Sequence, residues 1–242
     1  MTHLYLIRHG ETMGTIEGFV GDGGLSPLGV VQAQRLRDRL AATKEIKADI
    51  LIASTFPRAM QTAEIIAPAL GIPILPDDEL QELRPGVAEG MKVQTFRATF
   101  GQPDYEKMPF RPIAPAGESW GQFMLRVATA LNRIVLEHEG KTIVLVCHGG
   151  VIDGSFIYFF HLNAWTPPPT RFATLNTSIT HWKSNARGHW QLVTFNDGFH
   201  LQDIGASTRI PWDRLIAQPA SGADRPTVPI PTEESGDGNG KL

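Results

Sequence analysis

The sequence predicts a three-layer α/β/α sandwich on a mostly parallel sheet, with a small cap over the carboxyl edge of its strands. Short apolar runs alternate with stretches of helical periodicity from residue 3 to about residue 195, the pattern of a sheet covered by helices. The strongest run, residues 142–147 (Thr-Ile-Val-Leu-Val-Cys), is β-branched and apolar throughout, as befits a central strand covered on both faces. Polar, chemistry-bearing sequence follows the strand-like runs, and in such sheets ligands bind beyond the carboxyl ends of the strands.

Each element has its own justification. Residues 3–7 (His-Leu-Tyr-Leu-Ile) form a buried strand that feeds a loop. Ser26 and Pro27 open a helix that runs to about residue 42: Ser suits the N-cap and Pro the first helical position. Val30, Ala33, Leu36 and Leu40 then recur at helical spacing. Residues 49–53 make a second strand and residues 58–69 a second helix. A third short run, residues 72–75, contains Pro73, which places it at a sheet edge. Residues 84–117 carry five prolines and keep helical pattern only around 92–100; they form the cap. A long amphipathic helix spans residues 119–139, with Phe123, Val127, Leu131 and Ile134 on one side. A helix over about 151–161 follows the central strand, and residues 177–183 and 190–195 close the fold as a pair of strands. These elements define one catalytic domain, residues 1–217. Residues 218–242 have scattered Pro, Gly, Ser and acidic residues and no aromatic, a composition that predicts a disordered tail.

Composition narrows the function classes. The 242 residues hold 22 Lys and Arg against 25 Asp and Glu, a net charge of −3. No broad basic surface is available for nucleic acid, so any bound anion must meet a local cluster of cations. The single cysteine, Cys147, forms no internal disulfide and fits a reducing compartment. Arg8 interrupts the N-terminal apolar stretch before it reaches signal-peptide length, and no run approaches the roughly 18 apolar residues of a membrane span. The expected location is the cytoplasm, with no membrane partner; oligomeric state is not legible.

The residues after each strand converge on one chemistry. Arg8-His9-Gly10-Glu11-Thr12 follows the first strand and Ser54-Thr55-Phe56-Pro57-Arg58 the second. Glu82 lies beyond the third, and His148-Gly149-Gly150 ends the best one. Two arginine forks suit the oxygens of a phosphoryl group. A neutral imidazole is a competent nucleophile towards phosphorus, and a carboxylic acid can protonate the leaving alkoxide. Glu82 is the candidate acid, although Glu79 and Glu89 lie nearby. No cluster has metal-ligand spacing, and no cofactor is implied.

The segment Leu6-Ile7-Arg8-His9-Gly10-Glu11-Thr12 resembles the signature of the histidine phosphatase superfamily, the phosphoglycerate mutase-like proteins. Leu25-Ser26-Pro27-Leu28-Gly29, Ser54 with Arg58-Ala59-Met60-Gln61-Thr62-Ala63, and Leu80-Gln81-Glu82 with Gly86 and Glu89-Gly90 agree in order and spacing. So do Gly117-Glu118-Ser119, Val146-Cys147-His148-Gly149-Gly150 and Asn176-Thr177-Ser178-Ile179-Thr180. The resemblance covers roughly residues 3–195. It implies a phosphoglycerate mutase-like fold and a metal-independent phosphatase acting on a small phosphorylated metabolite. His9 becomes the phosphorylated nucleophile, with Arg8, Arg58 and His148 around the phosphate and Glu82 as acid and base. The backbone N–H of Gly149 adds a donor. Thr15 stands where many members have Asn, and its hydroxyl can donate one hydrogen bond in place of the amide.

Two rival functions share these residues: a phosphoglycerate mutase, and a catalytically weak phospho-ligand-binding protein. The region 84–115 lacks the extended basic substrate loop of the glycolytic mutases, which favours hydrolysis. Three other patterns read as structural. Gly117-Glu118-Ser119-Trp120-Gly121 fits G-x-S-x-G, but the proline-containing residues 112–116 do not make the strand a nucleophile elbow needs. Gly140-Lys141-Thr142 lacks the earlier glycine of a nucleotide loop, because position 135 is Val. His181 and His189 flank a turn without zinc-site spacing.

Overall fold

Near-continuous burial along the central strands places a helical layer on each face of the sheet. The computed structural model describes residues 1–165 and 172–204, apart from the side chain of Thr15. Strands β1 (His3–Arg8), β2 (Ile50–Ser54), β3 (Ile74–Asp77) and β4 (Thr142–Cys147) are joined by parallel pairings. Strand β5 (Ile179–Ser184) runs antiparallel to β1, and β6 (Trp190–Asp197) antiparallel to β5. The order across the sheet is β3-β2-β4-β1-β5-β6.

Side chains point alternately to the two faces of each strand. Leu4 and Leu6 of β1 join Leu145 and Cys147 of β4 on one face, against helices α5 (Trp120–Glu137) and α6 (Gly149–Phe159). Ile7, Val144 and Val146 pack on the other, against α2 (Pro27–Thr43) and α3 (Pro57–Leu70). Two shorter helices complete the set: α1 (Met13–Glu17) and, in the cap, α4 (Val93–Phe100). β1 therefore leads into the helical layer on one face and its neighbour β4 into the layer on the other. The loops leaving them diverge and open a crevice at the carboxyl edge, the topological switch point of the sheet.

Local chemistry fixes the helix starts. The Ser26 side chain accepts from Gly29 N–H with Pro27 at the first position of α2, and Ser119 forms a reciprocal capping box with Gln122 at the start of α5. Three elements show why the structure departs from the sequence pattern. α6 begins at Gly149 rather than at residue 151, because the extended His148 is its N-cap and glycines carry no apolar signal. β3 is displaced to Ile74–Asp77, where Pro76 is tolerated because β3 is an edge strand. The five-residue α1 is too short for periodicity to reveal. The 218–242 tail and the Thr15 side chain lie outside what the structure describes. Among the described residues, no helix is long and apolar enough to cross a membrane.

Candidate active site

The crevice brings together all five side chains expected to act on a phosphoryl group. Arg8, His9, Arg58, Glu82 and His148 are each at most 3% exposed. His9 leaves the end of β1, and its Nδ1 lies 2.7 Å from the Gly10 carbonyl oxygen. A carbonyl only accepts, so Nδ1 carries the proton and Nε2 the lone pair. Arg58, in the first turn of α3, donates from Nε to that lone pair over 3.1 Å. The His148 ring lies 5.1 Å from the His9 ring, centroid to centroid. His148 Nε2 is 2.7 Å from Ser54 Oγ, while its buried Nδ1 makes no hydrogen bond within the protein. Arg8 donates from Nη1 to the Thr174 carbonyl. Phe56 packs its ring against both His148 and Arg58, 5.5 Å and 5.1 Å away.

Electrostatics sets each protonation state. Burial, then the charges of Arg58 and Arg8, hold the His9 imidazole well below its ordinary value. Burial also lowers His148, helped most by Arg58. Both rings are therefore neutral near pH 7. Glu82 shifts the opposite way: burial raises its carboxyl, against the Gly150 and Leu83 N–H groups and the two arginines. The site thus holds two neutral imidazoles, two guanidinium cations and a carboxyl biased towards its acid form.

The remaining motif residues build the frame. Gly10 and Gly29 let the nucleophile loop lie directly on α2: a Cβ on Gly29 would stand 2.1 Å from the Glu11 carbonyl oxygen. Gly10 N–H donates to Thr62 Oγ1, which donates to the Arg58 carbonyl, tying the nucleophile loop to the Arg58-bearing turn. Glu118 accepts from Nε and Nη2 of Arg126, each over 2.7 Å. Arg126 in turn donates to the carbonyls of Glu79, Gln81 and Glu82. This clamp fixes the acid-bearing loop against α5. Ser119 is consumed as a helix cap and is not a nucleophile. His181 stacks on Tyr5, 4.0 Å between centroids, and pairs with His3, consistent with a structural role. Cys147 is buried and burial pushes its thiol up, so it is inert.

Comparison with known proteins agrees with this geometry. The family model for the histidine phosphatase superfamily (branch 1) matches residues 4–198. The chain belongs to the histidine phosphatase superfamily. Among its superfamily relatives, phosphoglycerate mutase-like protein 4 of Arabidopsis thaliana is 32% identical over 84% of this chain and 88% of its own. The metal-independent phosphoserine phosphatase of the same plant is 26% identical over 85% of each. A solved relative, the phosphoserine phosphatase mutant H9A from Entamoeba histolytica in complex with phosphoserine, superimposes with a TM-score of 0.66. It is 28% identical, covering 83% of this chain and all of the other.

Within the superfamily site, Gly149 opens α6, so its N–H is one of the first-turn donors without an intrahelical acceptor. Gly150 N–H donates to Glu82 Oε2 over 3.0 Å. A Cβ on Gly150 would lie 2.3 Å from Glu82 Oε1 and 2.7 Å from the Phe123 ring. Gly150→Ala is therefore expected to displace the carboxyl while improving helix propensity. Turnover should fall about 10²-fold, the usual effect of a misplaced catalytic group, with a cooperative thermal melt retained. Activity within threefold of wild type would show that Glu82 does not need this contact. Asn176, part of a family-like block in the sequence but without a role there, donates its amide to the His9 carbonyl over 2.9 Å. Sequence reasoning missed Asp22 and Arg126, which are isolated charges in the sequence that no periodicity marked.

Proposed function

We propose that this protein is a metal-independent phosphatase that hydrolyses a small phosphomonoester through a phosphohistidine on His9. The observation that carries this reading is the pairing of a His9 Nε2 lone pair with a buried, acid-biased Glu82 in one crevice holding Arg8, Arg58 and His148. The phosphoryl group of the substrate takes over the Arg58 Nε–H that now rests on His9, freeing the lone pair. Nε2 then attacks phosphorus, the ester P–O bond breaks, and Glu82 gives its proton to the departing alkoxide. The resulting N–P bond is cleaved by water, whose proton returns to the Glu82 carboxylate. Orthophosphate leaves and His9 is again neutral. Arg8 and Arg58 stabilise the charge on the transferring oxygens, and His148 Nδ1 and Gly149 N–H complete the cradle.

Hydrolysis over isomerisation is supported by two cap cations that already have partners. Arg84 is bound to Gln81, the Asp78 carbonyl and Glu79, and Lys107 pairs with Asp104. A mutase must hold an anionic leaving group while it reorients, which requires uncommitted positive charge. The catalytic unit is residues 1–217, the partner a small phosphorylated metabolite and the location the cytoplasm. A panel of phosphomonoesters, assayed for orthophosphate with and without chelator, tests the reading. Release of phosphate from at least one ester, unchanged by chelator, is expected. With 3-phosphoglycerate, phosphorus NMR showing the 2-isomer instead of orthophosphate would overturn hydrolysis. Tight ester binding without turnover would make the protein a phospho-ligand sensor.

A further inference from the structure

We infer that Asp22 is a positioning residue for Arg58 and moderates the affinity of the site for phosphate. The inference rests on Arg58 being a phosphate ligand. Asp22 lies in the loop between α1 and α2, unmarked by any sequence motif of its own, yet its side chain is 5% exposed and the guanidinium-bearing side chain of its partner Arg58 2%. Asp22 Oδ2 stands 3.1 Å from Arg58 Nη1 and also accepts the Arg58 main-chain N–H over 3.1 Å. Its other oxygen accepts Gly24 N–H over 2.8 Å. The Asp22 N–H is itself held by Glu89 Oε1 at 2.8 Å. The carboxylate is therefore held by two main-chain N–H groups and stands beside Arg58 Nη1 as an ion pair without a hydrogen bond to it.

That arrangement divides the labour of one arginine. Nη1 stays with Asp22, whereas Nε points at the nucleophile. When a phosphoryl group enters, only the Nε side must change partners, so the fork pivots without losing its anchor. A preoriented cation stabilises the transition state without reorganisation. The same carboxylate lowers the positive charge of the cradle: it stands against one of the two guanidiniums, beside neutral imidazoles. Substrate and product are dianions, and each is bound less tightly than two bare arginines would bind it. Product orthophosphate is thereby released more readily.

The charge argument and a merely structural role predict opposite results for Asp22→Asn. The neutral amide keeps an acceptor for the Arg58 main chain but loses the ion pair. kcat is expected to fall about tenfold, because Arg58 is no longer fixed for the transition state, while inhibition by orthophosphate tightens roughly fivefold. KM should fall with it. A loop staple alone would weaken phosphate inhibition and raise KM as Arg58 loosens; that outcome, or unchanged kcat, overturns the inference. Asp22→Ser repeats the test if the amide variant does not melt cooperatively. Arg58→Ala separates the two levels. If it leaves orthophosphate inhibition unchanged, the phosphate-ligand reading itself has failed. If it abolishes inhibition while both Asp22 variants behave as wild type, only the inference about Asp22 has failed.

Discussion

Replacing His9 with alanine is expected to reduce turnover roughly 10⁴-fold or more, the scale seen when a covalent nucleophile is removed, while leaving a folded protein. On the proposed mechanism His9 forms the N–P bond. Its Nε2 lone pair is defined by the Nδ1 contact to the Gly10 carbonyl, and no other side chain can inherit that position. His148 cannot substitute, because its Nε2 is engaged with Ser54 on the β2 side. The frame of the site does not depend on the imidazole. The loop after β1 is held by main-chain contacts, with His9 N–H on the Cys147 carbonyl and Asn176 on the His9 carbonyl. Arg8, Arg58 and His148 remain to bind the ester. A quench experiment is the direct check: the wild type should carry an acid-labile, alkali-stable phosphoryl group during turnover, and His9→Ala should carry none. Persistence of the label, or turnover above about one per cent of wild type, would move the nucleophile elsewhere.

The second large effect is expected at Glu82. Loss of a general acid commonly lowers rate by about 10²–10⁴-fold, and Glu82→Gln removes the proton without changing shape. The loss should depend on the leaving group. An alkoxide needs the proton, whereas a nitrophenolate departs without it, so the penalty with p-nitrophenyl phosphate should be smaller. The pH profile supplies an independent sign. His9 must be neutral, and burial with Arg58 and Arg8 lowers it well below 6.5, so the rising limb of kcat/KM lies at acid pH. Glu82 must be protonated, and burial raises it above 4.5, so activity falls as pH climbs through that raised value. The profile is therefore a bell whose acid limb belongs to His9 and whose alkaline limb belongs to Glu82. In Glu82→Gln the falling limb due to this carboxyl should vanish, leaving only the second ionisation of the ester near pH 6. Equal losses for both leaving groups, with the falling limb unchanged, would assign the acid to another group.

Much of the fold was legible because burial on a sheet has a period of two and burial on a helix a period near 3.6. The strand at 142–147 and the helices opened by Ser26 and Ser119 follow from that periodicity and from capping chemistry. The start of α6 was not legible, since Gly149 and Gly150 carry no apolar signal. They are helical because the chain turns sharply at His148 into a buried layer. Arg126 illustrates the same limit within the site. On the sequence it is one cation on an amphipathic helix, yet it fastens three carbonyls of the loop that carries Glu82.

Sequence alone determined which residue types follow which strands, and with them the chemistry: imidazoles and guanidiniums for a phosphoryl dianion, and a carboxyl for its leaving group. Those identities are local, written in the first residues after each apolar run. Tertiary structure decided what each group does there. Burial at the crevice made His9 neutral and biased Glu82 towards its acid form, and contacts spanning 36 and 49 residues set Asp22 and His9 on opposite sides of Arg58. Desolvation and pairing are properties of a group's surroundings, and those surroundings exist only once distant segments have packed together.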